Sequence, residues 1–257
     1  MNKTSFSLLF LLVFLTSCGN NVSPVDSGLE NQIFHFGNGS EPQGLDPHIV
    51  TGVPEHHILI ALCEGLTSSN PKGGAALPGM AESWSISDDG KTYTFNINKD
   101  ARWSNGDKVT ADDFVWSWNR VLTPSLGSQY TDMLYYVEGA KDFYDGNIDD
   151  FSQVGVKAID DNTLEVVLNN PTPFFLGLLS HYSTWPVHKD TVLKHGTIDD
   201  RNGQWTRPGN FVCNGPLQRE SRALPNIIVV DEPRASGAAH TANSPELPCY
   251  LVRTLML

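Results

Sequence analysis

The sequence predicts an α/β or α+β fold, because segments with strand periodicity and segments with helix periodicity interleave along the chain. Three observations support this prediction: a period-two alternation at 93–97, an amphipathic helical pattern at 110–122, and a second pair of alternating segments within 154–168. No internal repeat or low-complexity tract interrupts the series.

The first elements follow an apolar segment at 33–36, which is typical of a short strand. Turn and capping residues fill 37–48, and we expect a helix to begin near Pro54 and Glu55. Apolar residues at helical spacing mark its buried side, and these are Ile58, Leu59, Leu62 and Leu66.

The centre of the chain predicts a β-hairpin. Tyr93, Phe95 and Ile97 alternate with polar residues, and the segment 84–86 supplies a partner strand across the turn at 88–90. Asn105-Gly106 predicts a second turn, because both residue types tolerate positive φ.

A helix is expected from Thr110, the predicted N-cap, to the residues before Pro124. Asp112 and Asp113 fall where negative charge meets the helix dipole, so capping is favoured over general acid–base chemistry for this pair. The apolar face comprises Phe114, Val115, Trp118, Val121 and Leu122. Trp116 and Trp118 are interpreted as core residues, with ligand binding as the alternative.

The second half continues the alternation of elements. We expect short helical pieces at 130–137 and 139–144, then a hairpin whose strands, 154–159 and 163–168, flank Asp160-Asp161-Asn162. Thr172 is the predicted N-cap of a short helix at 174–179, with Pro173 in its first turn.

The sequence pattern at the N-terminus is typical of an export signal rather than of a folded element. Lys3 precedes an apolar run at 6–15 that is too short for a permanent membrane span and suits a signal peptide. The following Leu-Thr-Ser-Cys, ending at Cys18, resembles a bacterial lipoprotein box, with an ordinary secretory signal as the alternative. We therefore expect a signal peptide at 1–17, a lipid on Cys18 and a polar tether at 18–31.

Charge and cysteine content narrow the function classes. The formal net charge is −12, which disfavours a nucleic-acid partner because phosphates need a basic surface. Once Cys18 is assigned to the lipid, Cys63, Cys213 and Cys249 allow at most one intrachain disulfide. Our preferred interpretation of Cys63 and Cys213 is that they are small apolar core residues, with their disulfide state left open.

No enzyme motif is present in the sequence. We find no Gly-x-Ser-x-Gly elbow, Walker-type loop or dinucleotide fingerprint. The histidine pairs His56–His57 and His181–His188 lack helical metal-ligand spacing. Paired carboxylates of the glycosidase kind are left open, but the sequence predicts neither catalysis, nor a cofactor, nor a metal.

Several ordered motifs resemble the oligopeptide-binding proteins of the extracellular solute-binding protein family 5, from about Gln32 to Pro216. They include Cys-Glu-Gly-Leu, Pro-Gly-Met-Ala-Glu-Ser-Trp and Trp-Ser-Asn-Gly-Asp followed by Thr-Ala-Asp-Asp-Phe-Val. The matching segments are 39–48, 63–66, 78–84, 103–115, 155–166 and 207–216.

This resemblance implies a periplasmic-binding-protein-like (type II) clamshell lobe plus an extra α+β domain. By resemblance, 32–63 and 189–216 form the first lobe and 64–188 form the extra domain packed on it. The implied partners are an oligopeptide and ABC permease subunits, and the implied state is a monomer anchored in the bacterial cell envelope, facing the periplasm or the exterior.

The resemblance also implies ligand contacts at Thr51, Gly52, Val53 and Tyr130. Val53 would offer backbone hydrogen bonds to a peptide. Thr51 stands where a close relative has an acidic residue. Tyr130 has a role in the core as its alternative. His181 lies in a matching segment but is assigned no binding role.

The similarity ends after Pro216, and 217–257 is expected to be a divergent, poorly ordered tail. We therefore predict a truncated protein whose second lobe is missing and whose peptide binding is impaired. The alternatives are a surface lipoprotein that contacts a partner protein without transport, or the product of a degraded gene. Peptide length, side-chain preference and the membrane that holds the anchor are not determined by the sequence.

Overall fold

A computed structural model of the chain describes residues 38 and 40–215, together with the backbone of four two-residue strands outside that range. These are β1 (His35–Phe36), which pairs in parallel with β10 (Arg253–Thr254), and β8 (Gln218–Arg219), which pairs with β9 (Val230–Asp231). The predicted signal peptide, Cys18, the tether and most of the predicted tail lie outside the described residues. No helix in the described part is long and apolar enough to cross a bilayer.

A four-stranded antiparallel sheet forms the centre of the described structure. Its strands are β4 (Ala81–Ile86), β5 (Thr92–Ile97), β6 (Val156–Asp160) and β7 (Thr163–Val167), in the spatial order β4-β5-β7-β6. A separate two-stranded ribbon pairs β2 (Thr67–Ser68) with β3 (Leu77–Pro78). Both predicted hairpins are confirmed.

The period-two pattern decides which face of the sheet is buried. Phe95 pairs with Trp84 on one side and Leu164 on the other, and Tyr93 pairs with Val166, so these side chains share the inner face. The alternate positions are serine, threonine, asparagine, glutamate and lysine, which suit the solvated face.

The part of the chain that the structure describes contains five α-helices. They are α1 (Val53–Leu62), α2 (Ala111–Leu122), α3 (Ala140–Tyr144), α4 (Phe175–Leu178) and α5 (Lys189–Lys194). Short 3₁₀ turns occur at Pro124–Leu126, Thr131–Leu134, Phe151–Gln153, Tyr182–Thr184 and Gln204–Thr206.

The helix α2 begins and ends where the sequence predicted. The Asp113 carboxylate accepts hydrogen bonds from the Thr110 backbone N–H (2.7 Å) and hydroxyl (3.1 Å), and the Thr110 side chain accepts from the Asp113 backbone N–H, which completes a capping box. Trp118 is buried, and its indole N–H donates to the Thr184 carbonyl at 2.9 Å. The core interpretation of Trp118 and the capping interpretation of Asp113 are therefore confirmed.

Three local predictions are wrong. Helix α1 ends at Leu62, so Leu66 does not lie on its buried side and packs instead in the apolar cluster of the sheet. The N-cap of α4 is Phe174 rather than Thr172, whose hydroxyl instead donates to the Asn170 carbonyl and so belongs to the preceding turn. Cys63 and Cys213 are joined by a disulfide, with their Cα atoms 5.3 Å apart, and are not separate apolar core residues. The two cysteines are 150 residues apart in sequence, and this contact is made only by the tertiary fold.

The buried apolar residues form three clusters. The largest lies between the sheet and α2 and draws on residues from Leu66 to Leu179. A second joins α1 to the segments around Leu45, Tyr182 and Cys213, and a small third cluster contains Val187, Val192 and Trp205.

Candidate functional site

A buried ion pair fixes the loop that precedes α1. The Arg120 guanidinium donates to both carboxylate oxygens of Asp46, at 3.0 and 2.6 Å, and its Nη1 also donates to His48 Nδ1 at 2.9 Å. Because Nδ1 accepts, the neutral His48 ring carries its proton on Nε2, which donates to the Trp185 carbonyl at 2.9 Å. We call Asp46, His48 and Arg120 the buried triad.

In the buried triad, Asp46 and Arg120 form a charged pair and the His48 ring is neutral. Burial opposes ionisation of Asp46, but the Arg120 charge and hydrogen bonds lower the pKa of Asp46 below its ordinary value. Burial, followed by the Arg120 charge, lowers the pKa of His48 to about 4, so the ring is neutral at neutral pH. The triad therefore links α2 to the loop without leaving an uncompensated charge.

The loop leaves the buried triad through a tight turn and becomes exposed at 51–53. The backbone N–H groups of Ile49 and Val50 both donate to the Asp46 carbonyl at 3.1 Å. Val53, the first residue of α1, is 65% exposed. Among the described residues, none accepts a hydrogen bond from its backbone N–H. Residues 51–53 thus form an exposed edge with backbone groups open to a ligand, which we call the 51–53 edge.

The sequence at 52 and 55 explains why this edge keeps its shape. The Glu55 carboxylate is buried and accepts the backbone N–H of Gln43 at 2.6 Å. A Cβ at position 52 would come within 2.0 Å of Glu55 Oε2, so a side chain there would displace the carboxylate from Gln43. Glycine at 52 is therefore required by the close approach of Glu55.

Four rings pack beside the 51–53 edge. The Tyr130 hydroxyl donates to the Thr51 carbonyl at 3.4 Å, and the Tyr182 hydroxyl donates to the Val50 carbonyl at 3.2 Å. His181 lies 4.9 Å from the Tyr130 ring centroid and 4.2 Å from that of Tyr182. His56 on α1 lies 5.6 Å from Tyr182. We call Tyr130, His181, Tyr182 and His56 the aromatic platform.

The tautomer of His181 follows from its neighbours. Its Nδ1 accepts the backbone N–H of Ser183 at 3.3 Å and lies 2.9 Å from the Ser183 hydroxyl. The neutral ring therefore carries its proton on Nε2 and presents a donor. Burial and the neighbouring His56 lower the pKa of His181, and burial and the neighbouring His57 lower the pKa of His56.

The structure brings the four sequence-predicted contacts, Thr51, Gly52, Val53 and Tyr130, into one surface region. Their binding role remains a prediction. Sequence reasoning missed Tyr182 and His56 as members of the same surface. The spacing of His56 and Val53 within the first turn of α1 was the available signal for His56, whereas Tyr182 is brought to the site only by tertiary packing.

A second set of links holds the far end of α1. Beside the Cys63–Cys213 disulfide, the Asn214 amide accepts from the Glu64 N–H at 3.0 Å and donates to the Glu64 carbonyl at 2.9 Å. Gly215 N–H donates to the Leu62 carbonyl at 2.9 Å, and a Cβ at 215 would meet that oxygen at 2.5 Å. The site-bearing helix is thus tied to both α2 and the segment at 213–215.

Other polar groups have structural partners. His188 caps α5 through its Nδ1 and lies 3.1 Å from Asp107 through its Nε2. Within the described part of the chain, no group of three or more His, Cys, Asp or Glu side chains is arranged to hold a metal ion.

Comparison with known proteins identifies the family of the chain. The family model described as "Bacterial extracellular solute-binding proteins, family 5 Middle" matches residues 75–224. The periplasmic oligopeptide-binding protein OppA of Escherichia coli is 47% identical over 238 residues, which cover 90% of this chain and 42% of that protein. OppA of Bacillus subtilis is 38% identical and is covered over 38% of its length.

Solved structures give the same assignment. Haemophilus influenzae OppA in complex with the peptide RPPGFSPFR superposes with a TM-score of 0.76 at 36% identity, over 89% of this chain and 42% of that one. The Escherichia coli murein tripeptide-binding protein MppA in its unliganded open form gives a TM-score of 0.72 at 32% identity, over 87% of this chain and 40% of that one. The chain spans less than half the length of these relatives. Its fold is that of one α/β lobe of a type II periplasmic binding protein, and the chain belongs to the bacterial extracellular solute-binding proteins of family 5, which are binding proteins rather than enzymes.

Proposed function

We propose that this protein is the substrate-binding component of a peptide ABC importer and that the 51–53 edge receives the peptide backbone. The observation that carries the proposal is the open backbone N–H of Val53 on an exposed edge held between the buried triad and the aromatic platform. A pre-ordered edge lowers the entropy lost on binding, and an extended peptide can bond to such backbone groups whatever its side chains.

The relatives support a peptide as the ligand class. They include oligopeptide-binding, murein peptide-binding and dipeptide-binding proteins, and one is named as a probable deoxycholate-binding protein. Because this chain matches only 42% of the length of the Escherichia coli relative, we expect its own contacts to give weak affinity, with a Kd on the order of 1 mM.

The test is an NMR titration of the full ¹⁵N-labelled chain with trialanine. We expect the amide signals of Gly52 and Val53 to shift, while those of the β4–β5 turn stay in place. Tyr130→Phe, which removes the hydroxyl bonded to Thr51, should weaken binding about fivefold, the value of one hydrogen bond. Tyr136→Phe, at an exposed tyrosine, is the control. Unmoved 51–53 amides at ~10 mM peptide would overturn the proposal, and micromolar affinity would contradict the predicted weakness.

We also propose that the chain divides into a first-lobe portion, 32–63 with 189–216, and an extra domain at 64–188. The largest apolar cluster draws all its buried residues from Leu66 to Leu179, within the extra domain, which supports this division. Limited proteolysis followed by mass spectrometry tests it, because cleavage should concentrate near 63–64 and 188–189 once the disulfide is reduced. Cleavage confined to the interior of 64–188 would contradict the division.

We propose, finally, that the protein is anchored in the cell envelope by a lipid on Cys18. The apolar run before a Leu-Thr-Ser-Cys sequence supports this location. Cys18→Ala should move the protein from the membrane fraction to the soluble envelope fraction, and unchanged membrane association would refute the anchor.

A further inference from the structure

His56 and His181 lie at the 51–53 edge and contribute less to the fold than His48 does. His48 is fully enclosed and both of its ring nitrogens are bonded. His56 and His181 are half-buried on the aromatic platform, and Tyr182 packs between them, at 5.6 and 4.2 Å respectively. They are therefore held in place while part of each ring still faces solvent.

The surroundings of these imidazoles contain little compensating negative charge. The titratable neighbours are His57 and Glu55 on α1, the phenols Tyr130 and Tyr182, and Asp132 after the Tyr130 turn. The Glu55 carboxylate is buried and engaged by Gln43 N–H. Asp132 is exposed, and its effect on His181 is smaller than those of burial and His56. Position 51, on the edge itself, is threonine rather than a carboxylate.

The consequence is a surface whose charge depends on pH and on the ligand. Near neutral pH the rings are uncharged and offer stacking faces and the Nε2 donor of His181. Burial and neighbouring rings lower both pKa values, so the rings bind protons only at acidic pH, and an anion beside either ring would offset its charge. A ligand carboxylate would therefore bind best when the rings are charged, and its binding would in turn favour their protonation.

We propose that His56 and His181 form a side-chain subsite that selects peptides with an acidic side chain, with a preference that grows as the pH falls. The subsite rests on the proposed peptide-binding function and adds to it a ligand class. It makes the aromatic platform a specificity-determining surface rather than only a support for the 51–53 edge.

The experiment compares Ala-Glu-Ala, Ala-Lys-Ala and trialanine by NMR titration of the full chain at pH 7.5 and pH 5.5. The glutamate side chain stays ionised at pH 5.5, since its ordinary pKa is about 4.3. We expect Ala-Glu-Ala to bind about fivefold more tightly at pH 5.5 than at pH 7.5, Ala-Lys-Ala to bind several-fold more weakly, and trialanine to change little. Calorimetry in two buffers of different ionisation enthalpy should show proton uptake with Ala-Glu-Ala and much less with trialanine.

Variants separate the subsite from general effects of pH. His56→Gln with His181→Gln should give Ala-Glu-Ala and trialanine the same pH dependence, measured as the ratio of their two Kd values at each pH. His195→Gln, a partly exposed histidine at the end of α5, is the matched control and should behave as the wild type.

The possible results are distinguishable. If no peptide shifts the 51–53 amides, the proposed function fails and the subsite fails with it. If trialanine binds and Ala-Glu-Ala follows the same pH course, peptide binding stands and the subsite is overturned. If the double variant retains the full pH dependence, other groups carry the preference and His56 and His181 do not.

Discussion

The two largest apolar clusters are held together by different forces. Between β5, β7 and α2, large apolar side chains such as Phe95, Phe114 and Trp118 are almost wholly buried. Around α1, the segment at 40–63 has little regular structure before Val53 and is fixed by polar and covalent links: the buried triad, the Asn214 amide and the Cys63–Cys213 disulfide.

The difference shows how the binding surface is stabilised. Apolar packing is non-directional and tolerates exchange of similar side chains. Charged hydrogen bonds and a disulfide set a loop in one geometry, and they fail when a single partner is removed. The 51–53 edge lies on the second kind of structure, so its shape should be more sensitive to single substitutions than that of the sheet.

The largest expected effect is that of Arg120→Ala. Removing the guanidinium leaves Asp46 buried and unpaired and deprives His48 of its donor, so we expect a loss of about 3–5 kcal/mol in the free energy of unfolding. Urea unfolding measures the loss. Hydrogen exchange should accelerate at 46–53 more than at 92–97.

Arg207→Ala, at an exposed arginine, is the control and should change the unfolding free energy by less than about 0.5 kcal/mol. If Arg120→Ala does not fold, the milder Arg120→Lys should give the same regional pattern of exchange, because lysine keeps the charge without the two parallel hydrogen bonds. If hydrogen exchange accelerated equally in the sheet and in the loop, the two regions would not differ in their sensitivity to loss of the buried triad.

The next effect is that of removing the disulfide. Cys63→Ala with Cys213→Ala opens a loop closed across 150 residues, and we expect a loss of about 2–4 kcal/mol. Thermal unfolding of the wild type with and without reductant provides the measurement. The unfolding temperature of the double variant should not change with reductant. If the wild type were equally stable when reduced, the disulfide would not contribute to the stability of the fold.

A smaller effect is expected from pH through His48. Its pKa is about 4 in the folded protein against an ordinary value near 6.5, so between these values the unfolded chain binds a proton that the folded protein does not. Stability should therefore fall as the pH is lowered from 6.5 towards 4, by about 3 kcal/mol from this residue.

Glu64 acts in the opposite direction, because burial raises its pKa to about 7 and its protonated form is favoured in the folded protein. The His48 contribution is isolated by comparing urea unfolding of the wild type and His48→Gln at pH 7 and pH 4.5. The variant should lose less stability on acidification, and identical losses would mean that His48 is not neutral in the fold.

The smallest expected effect lies in the sheet region. Thr110→Ala removes the hydroxyl of the capping box while Asp113 still accepts the backbone N–H, so a loss of about 1 kcal/mol is expected. Urea unfolding measures it, with Thr94→Ala on the solvated face of β5 as the control. A loss comparable to that of Arg120→Ala would show that local capping matters as much as the buried triad.

Much of the fold could be predicted because its determinants are local. The alternation at 93–97, the capping box at Thr110 and Asp113, and the turn at Asn105-Gly106 each depend on residues a few positions apart. The start of α1 at Val53 falls one residue from the predicted position. The N-cap prediction at Thr172 failed because its hydroxyl donates to the Asn170 carbonyl in the preceding turn instead of capping the helix.

The candidate site could be predicted from the sequence only in part. Family resemblance identified Thr51, Gly52, Val53 and Tyr130, but nothing in the sequence paired Arg120 with Asp46, Cys63 with Cys213, or His56 with Tyr182. These partners lie 74, 150 and 126 residues apart.

The sequence by itself determined the strands of the central sheet, the main helices, the cap of α2 and membership of a binding-protein family, since periodicity and motifs act over short range. Only the tertiary structure decided which charged and aromatic side chains meet around the 51–53 edge. Such contacts depend on how distant segments pack, and burial gives a lone arginine, histidine or cysteine its role only once its partner is in place.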